Sequence, residues 1–193
     1  MYTIDKPTKR LVINVETLKP TNEVISIQVE QESFLSDVAL LEELVIEGST
    51  RFKIRIDNTA AKKLIISASA LSIYLFDVIV DETLILESSH SIVFDSFYSN
   101  KLTIRYHKND NLELEFLKCC RIYEVEMNID VQNLYISAIS NLELKHSNVF
   151  IKTKALNINE ITRRAFNVNR IDKLAKWLFT KEELENIDFD TID

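Results

Sequence analysis

Residues from Leu41 onward repeat at a spacing of twenty, and this periodicity constrains the fold more than any other feature of the chain. Three columns of similar residues recur at that spacing: Leu44, Leu64 and Leu84; Ile46, Ile66 and Leu86; Ser49, Ser69 and Ser89. After a shift of two places, the series continues with Leu102, Ile122 and Leu142. Because so short a repeat cannot bury its apolar face alone, successive repeats must stack on one another.

Each repeat contains two short segments of alternating apolar and polar residues, which is typical of β-strands. The first segments are 43–47, 63–67, 83–87, 101–106, 121–127 and 141–145, and the second are 52–57, 71–76, 92–97, 112–116, 134–138 and 149–151. A mainly β chain with this pattern is expected to form a parallel β-solenoid with coils of about twenty residues. An antiparallel β-sandwich or jelly roll is the alternative, but its two-residue hairpins favour glycine.

The chain contains a single glycine, Gly48, among 193 residues. Ordinary usage would give about thirteen, so left-handed corners must be formed by Asn, Asp or Ser. Dinucleotide fingerprints, phosphate-binding loops and nucleophile elbows all need several glycines. The sequence therefore predicts no cofactor and none of these nucleotide-dependent activities. Asparagines precede several strands and are expected to stack at corners: Asn111, Asn133, Asn141 and Asn148.

Outside the repeats, the pattern changes at both ends. Residues 10–16 and 24–30 alternate like strands, and Ser33–Glu43 has the spacing of a short helix. We expect residues 1–42 to cover the array, 43–159 to form the solenoid, and 160–193 to form a helical C-terminal cap. The cap prediction depends on helical spacing over 168–178 and on a capping box at 180–183.

Charge and hydropathy exclude several classes of partner. A net charge of −7 argues against direct nucleic-acid binding, which needs a concentrated positive surface. No segment is apolar enough for a membrane span or a signal peptide, so a cytoplasmic protein without membrane association is expected. Cys119 and Cys120 are adjacent and point to opposite sides of a strand, which predicts free thiols in a reducing compartment.

Catalytic and metal sites find little support. The three histidines His90, His107 and His146 fall on different coils, and the outer two would be about 14 Å apart, too far to share one metal. The enzymatic alternative is a carbohydrate-processing β-helix enzyme that uses a column of carboxylates. Its candidate residues are Asp57 and Asp77, twenty residues apart, with Asp81 and Asp95 nearby.

Outward-facing residues offer two kinds of contact surface. If Leu44 and Ile46 face the core, an apolar ladder of Val45, Ile65 and Ile85 faces outward, where it would either mediate self-association into a homodimer or lie under the N-terminal strands. A partner-binding surface is expected from outward aromatics and glutamates. Its members are Tyr74, Phe76, Tyr135 and Phe150, together with Glu113, Glu115, Glu124 and Glu126.

These observations predict a non-enzymatic protein that binds another macromolecule, most simply a protein, through a rigid solenoid face. The basic strand with Arg51, Lys53 and Arg55 and the acidic strands further along polarise the molecule, which can steer a partner. The Ile, Asn and Lys content is compatible with an AT-rich phage or plasmid genome. That suggests a sharper hypothesis, an inhibitor that binds a host complex through an acidic face. A homo-oligomeric structural protein is the other alternative.

Overall fold

The computed structural model describes residues 2–4, 8–31, 41–139 and 142–158. Over these ranges the chain is mainly β and forms a parallel β-solenoid of about five turns. The described strands are β1 (Tyr2–Ile4), β2 (Thr8–Asn14), β3 (Val24–Gln31), β4 (Leu41–Glu47), β5 (Lys53–Ile66), β6 (Ile73–Leu86), β7 (Ser91–His107), β8 (Asn111–Phe116), β9 (Cys120–Ala138) and β10 (Leu142–Ile158). In the described part of the chain, no helix has the length and apolar character needed to cross a membrane.

All named strands pair in parallel with strands of the neighbouring coil. β5 lies against β6, β6 against β7, and β9 against β10. Parallel pairing between successive coils requires a crossover around the rest of the coil, whereas hairpins would give antiparallel pairs. The solenoid prediction is therefore confirmed, and the sandwich alternative is wrong.

The coils differ in length, which shifts the columns that a constant spacing of twenty predicts. Leu44 pairs with Leu64 as expected, but Leu64 pairs with Thr83, nineteen residues later. Leu84 consequently pairs with Ile65, and Ile85 with Ile66. Further along, Leu102 pairs with Val125, at a spacing of twenty-three. Because side chains alternate between the two sides of a strand, a shift of one residue exchanges inward for outward positions.

Inward-facing residues form continuous apolar columns inside the coils. One column is Ile46, Ile66, Ile85, Ile104 and Met127, and another is Ile54, Ile73, Ile92, Leu114 and Ile136. Aromatic rings fill the interior further along, where Phe94 stacks on Phe116 with centroids 4.8 Å apart. Thr83 takes the place of a leucine in the column of Leu44, Leu64 and Leu102. Its hydroxyl oxygen lies 3.3 Å from the hydroxyl oxygen of Ser99, so the buried polar group has a hydrogen-bond partner.

A corner without glycine is repeated in four successive coils. Asn58, Asp77, Ser96 and Cys119 all have positive φ angles, of 44°, 50°, 54° and 40°. The pairings on either side of these positions place them in one stack along the solenoid. Each of these residues bends the chain inside a long strand or directly before one. Because pairing continues through the bend, pairs of predicted short strands form the single strands β5, β6 and β7. The expectation that Asn, Asp and Ser form the left-handed corners is confirmed at three of these positions and is wrong at Cys119 and, at other corners, at Glu23 and Glu87.

The N-terminal strands extend the stack and do not cover it. β2 pairs with β4 and β3 pairs with β5, both in parallel, so these strands form a first coil. The expectation of an N-terminal cover is therefore wrong for them. Most of the helix predicted over Ser33–Glu43 lies outside the described residues, and its last part is wrong because Leu41 begins β4. Pairing with β2 determines that strand, against the local helical spacing.

The predicted C-terminal cap, 160–193, lies outside the described residues, and the described part of the chain gives it no support. The asparagine stack is confirmed for Asn111 and Asn133 and is wrong for Asn148, which is in register with Glu126, while Asn141 lies outside the described residues. Asn133 Nδ2 donates to Asn111 Oδ1 at 2.7 Å, at the start of adjacent coil segments. The serine column is confirmed between Ser49 and Ser69, which form a parallel bridge.

Substitution by glycine tests the corner. A left-handed conformation costs an L-residue about 1–2 kcal/mol, and less for Asn. We expect Cys119→Gly to raise the free energy of unfolding by about 0.5–1 kcal/mol in urea titrations. The matched variant Asn58→Gly should change it by less than about 0.3 kcal/mol. A clear loss of stability in Cys119→Gly would contradict a left-handed corner at that residue.

Candidate functional site

One outer surface of the solenoid gathers most of the residues that the sequence marked for contact. We call it face A; it comprises the outward side chains of 24–28, 53–57, 73–76, 91–95, 113–116 and 135–138. Its middle row, in stacking order, is Ser26, Arg55, Tyr74, Val93, Glu115 and Ser137. A second row contains Val24, Lys53, Ser91, Glu113 and Tyr135, and a third contains Gln28, Asp57, Phe76 and Asp95.

The basic end of face A lies on β5. Arg55 Nε is 2.6 Å from Asp57 Oδ1, and the guanidinium lies 5.0 Å from the centre of the Phe76 ring. These contacts hold the arginine side chain against the sheet. Lys53 is exposed and makes no ion pair within the part of the chain that the structure describes. An open cleft of about 360 Å³ adjoins this end, lined by Glu23, Arg51, Phe52, Lys53 and Leu71.

The acidic end of face A lies on β8. The carboxyl groups of Glu113 and Glu115 lie on the same side of this strand, close enough to affect each other's charge. Burial raises the pKa of Glu115, and the nearby Glu113 carboxylate raises it further. Neither glutamate forms an ion pair with a lysine, arginine or histidine among the described residues. Tyr135, with 45% of its surface exposed, is in register with Glu113 on the next coil.

Face A brings together five of the eight predicted partner-binding residues, namely Tyr74, Phe76, Glu113, Glu115 and Tyr135. The other three belong elsewhere. Glu124 and Glu126 lie on a different segment of the coil, where both approach Lys101. The backbone of Phe150 pairs with Asn128 on that same segment, and its side chain is not among those that the structure describes.

The expectation of one acidic surface formed by all four glutamates is therefore wrong. The chain bends between Glu115 and Glu124 through the left-handed corner at Cys119, so the two pairs emerge on different faces. The inhibitor hypothesis required them together, and this geometry gives it no support.

A ladder of alternating charge defines a second surface, face B, on the outward side of 10–12, 43–45, 63–65, 82–84, 101–103 and 124–126. Residues in register along one row are Arg10, Glu43, Lys63, Glu82, Lys101 and Glu124. The nitrogen–oxygen distances along this row are 2.8 Å for Arg10–Glu43, 3.8 Å for Lys63–Glu82 and 3.7 Å for Lys101–Glu124. Opposite charges on neighbouring strands stabilise this stacking of the coils.

The apolar ladder that sequence analysis assigned to self-association is changed by the shorter coil. Ile85 is fully buried in the core above Ile66, so its outward assignment is wrong. Leu84 takes its place in the row after Val45 and Ile65. Val45 is only 4% exposed, although it lies on the side of β4 away from Leu44 and Ile46. The exposed apolar surface of this row is therefore greatest at Val12, which is 44% exposed, and it is interrupted at Val45.

The carboxylate column proposed for carbohydrate chemistry is also broken by the nineteen-residue coil. Asp57 is in register with Phe76, which is in register with Asp95, so an aromatic ring separates the two carboxylates. Asp77 is at the left-handed corner beside Asn58. The expectation that Asp57 and Asp77 stack is therefore wrong, and Asp57 is paired with Arg55.

The described histidines lie apart and have different partners. His90 Nδ1 is 3.3 Å from Asp110 Oδ2, and His107 Nε2 is 3.1 Å from Asn128 Oδ1. Tyr106 also donates its hydroxyl to Asp110, at 3.3 Å, and burial raises the pKa of this tyrosine. No group of three metal-ligating residues occurs in the ranges that the structure describes. The spacing of these residues in sequence gave no sign that Asp110 joins His90.

The two cysteines take the opposite environments that their adjacency predicts. Cys119 is exposed, whereas Cys120 is buried and its thiol lies 3.4 Å from the carbonyl oxygen of Phe94. Burial raises the pKa of Cys120 to about 11, which keeps this thiol protonated at neutral pH. A buried, protonated thiol is a core group and not a nucleophile.

Sequence reasoning missed one group of exposed aromatic and apolar residues. Ile79 is 58% exposed and is in register with Tyr98, which is 43% exposed. The Tyr98 hydroxyl donates to Asn100 Oδ1 at 3.1 Å, and Asn100 Nδ2 donates to Asp81 Oδ1 at the same distance. Their spacing of nineteen is the signal that could have aligned them.

Comparison of the chain with protein-family models, with curated proteins and with solved structures finds no match in any of the three. Inference about function must therefore start from the surfaces of the solenoid itself.

Replacement of Lys101 tests the charge ladder, because this lysine lies 3.7 Å from Glu124 and 3.6 Å from Glu126. We expect Lys101→Glu to lower the free energy of unfolding by about 1–2 kcal/mol, by placing a third negative charge between glutamates. Lys101→Met should cost about 0.5 kcal/mol, because only attraction is lost. Urea titrations in low and high salt check this. Equal stability of the two variants at low salt would contradict the ladder.

Proposed function

We propose that this protein is a non-enzymatic binding platform whose face A docks a protein partner. The observation that carries the proposal is the convergence of Tyr74, Phe76, Glu113, Glu115 and Tyr135 on one continuous sheet face. Aromatic residues are enriched at protein interfaces and supply much of their binding energy. Here Tyr74 and Phe76 lie between a basic end and an acidic end, and Tyr135 lies beside the acidic end, which gives the surface both apolar contact and polarity.

The rigidity of the sheet supports recognition by this surface. The strands under face A are hydrogen-bonded to neighbouring coils on both sides, from β5 through β9. Their outward side chains therefore occupy fixed rows before any partner arrives. A surface that needs little ordering on binding loses less conformational entropy, so more of the contact energy appears as affinity.

Charge specifies the kind of partner. A complementary protein would present an acidic group toward Lys53 and Arg55 and a basic group toward Glu113 and Glu115. Three strand steps separate Arg55 from Glu115 in the middle row, which is about 14 Å at the usual strand spacing. Such a partner would approach in one orientation, because reversing it would oppose like charges.

Two tyrosines of similar exposure provide a matched test. Tyr135 is 45% exposed on face A, and Tyr98 is 43% exposed on another part of the coil. Loss of an interface tyrosine typically costs about 2 kcal/mol, or about thirtyfold in affinity. We therefore expect Tyr135→Ala to lower the affinity for a specific partner, captured from an extract of the producing cells, by about thirtyfold. Tyr98→Ala should capture it as the unaltered protein does.

Quantitative mass spectrometry of proteins retained on each immobilised variant provides the measurement. Glu113→Lys combined with Glu115→Lys should also abolish retention, because it reverses the charge of the acidic end. Circular dichroism and urea titration establish that each variant is folded. Equal retention by Tyr135→Ala and the unaltered protein, or equal loss in Tyr98→Ala, would refute a docking role for face A.

A further inference from the structure

Two of the three outward rows of face A, the middle row and the second row, are complementary to themselves when their order is reversed. The middle row runs Ser26, Arg55, Tyr74, Val93, Glu115 and Ser137. Its two ends are serines, the next positions are opposite charges, and the two central residues are apolar or aromatic. In the second row, Lys53 and Glu113 occupy positions equivalent to Arg55 and Glu115, with Val24 and Tyr135 outside them.

From this order we infer that a second copy of the chain docks on face A as a two-fold symmetric dimer. The two-fold axis lies in the plane of the interface, parallel to the strands, and passes between Tyr74 and Val93. The inference rests on the proposed role of face A in protein docking and names the partner. Closed two-fold dimers are the commonest oligomers, and their interfaces must be self-complementary.

Rotation about this axis reverses the stacking order of the coils and keeps the position along each strand. Lys53 of one copy therefore faces Glu113 of the second copy, and Arg55 faces Glu115. The symmetry repeats both contacts. Two of the four resulting charge contacts pair Lys53, which is unpaired among the described residues, with Glu113, and the other two add Glu115 to an arginine that is already paired with Asp57. Val24 faces Tyr135 at each edge, and Tyr74 lies opposite Val93 in the centre, where Val93 is only 3% exposed and adds little contact area.

Uncompensated charge on the single chain supports this arrangement. Glu113 and Glu115 lie side by side and form no ion pair with a lysine, arginine or histidine in the described part of the chain. Lys53 likewise makes no ion pair with a described residue. A second copy brings a cation to the glutamates and an anion to the lysine at the same time, so that the charges of both groups are neutralised.

Face B lacks this property. Lys101 lies within 3.7 Å of Glu124 in the same chain, and Arg10 lies 2.8 Å from Glu43. Its charges are already neutralised along the row, and Val45 beside them is buried. A second copy would gain little by covering this surface.

The size of face A predicts the strength of the dimer. From Val24 to Tyr135 the rows cross five strand steps, about 24 Å, and the segment 53–57 is about 17 Å long. The resulting area of about 400 Å² per copy is below the ~800 Å² of a standard interface. We therefore expect a dimer with a dissociation constant in the micromolar range, weakened by salt because charge pairs dominate the contact.

Sedimentation velocity on purified protein with complementary charge reversals tests the inference. The unaltered chain should dimerise at low ionic strength, at concentrations of tens of micromolar. Lys53→Glu and Glu113→Lys should each weaken self-association at least tenfold, because each opposes like charges at two places. An equimolar mixture of these two variants should restore the dimer, since glutamate 53 of one then faces lysine 113 of the other.

Arg105→Glu provides the control, because Arg105 is exposed outside face A and its reversal changes the net charge as Lys53→Glu does. This control should dimerise like the unaltered chain. A monomeric unaltered chain, or a mixture that stays monomeric, would overturn the inference.

These outcomes are separable from a failure of the proposed function. Self-association is measured with pure protein, whereas partner docking is measured by retention of another protein. A monomer that still loses its partner on Tyr135→Ala would refute only the dimer. A dimer that retains no other protein through face A would refute only docking of a different partner.

Discussion

Parallel hydrogen bonding between successive coils is the interaction on which this structure depends. It fixes Leu44 beside Leu64 and Ile66 beside Ile85, so residues far apart in sequence become neighbours in rows. The same register that packs apolar columns inside the coils also creates rows of side chains outside. The core and the surfaces are consequently two results of one pairing pattern, and a slip of one residue would destroy both.

Corners without glycine explain how the pattern accommodates coils of unequal length. Four left-handed residues, Asn58, Asp77, Ser96 and Cys119, turn the chain at the same corner of successive coils. The differences in coil length fall before or after that corner. Face A lies before this corner and face B after it. Because the charges of face B are paired along its row, that face stabilises the stack. Face A leaves charges and aromatic rings available, and for that reason it is the surface suited to docking.

The general architecture could be predicted from sequence because repetition of apolar residues survives small changes in spacing. The detailed columns could not, since the coil between Ile65 and Leu84 has nineteen residues and the prediction assumed twenty. That single difference moved Ile85 into the core and separated Asp57 from Asp77. The grouping of Glu124 with Lys101 depends on a longer coil, whose length only three-dimensional pairing reveals. Tyr74, Phe76, Glu113 and Glu115 were predicted correctly as outward residues because local alternation alone determines their side of the strand.

Disulfide cross-linking tests the stacking register most directly. In a Cys119→Ser background, cysteines introduced by Ile65→Cys and Leu84→Cys would lie on adjacent parallel strands, in register and on the same side. Their Cα atoms would be about 4.8 Å apart, within the range of a disulfide. We expect near-complete intrachain oxidation of this pair and little oxidation of Leu64→Cys with Leu84→Cys, whose side chains point to opposite sides. Efficient cross-linking of the second pair and none of the first would contradict it.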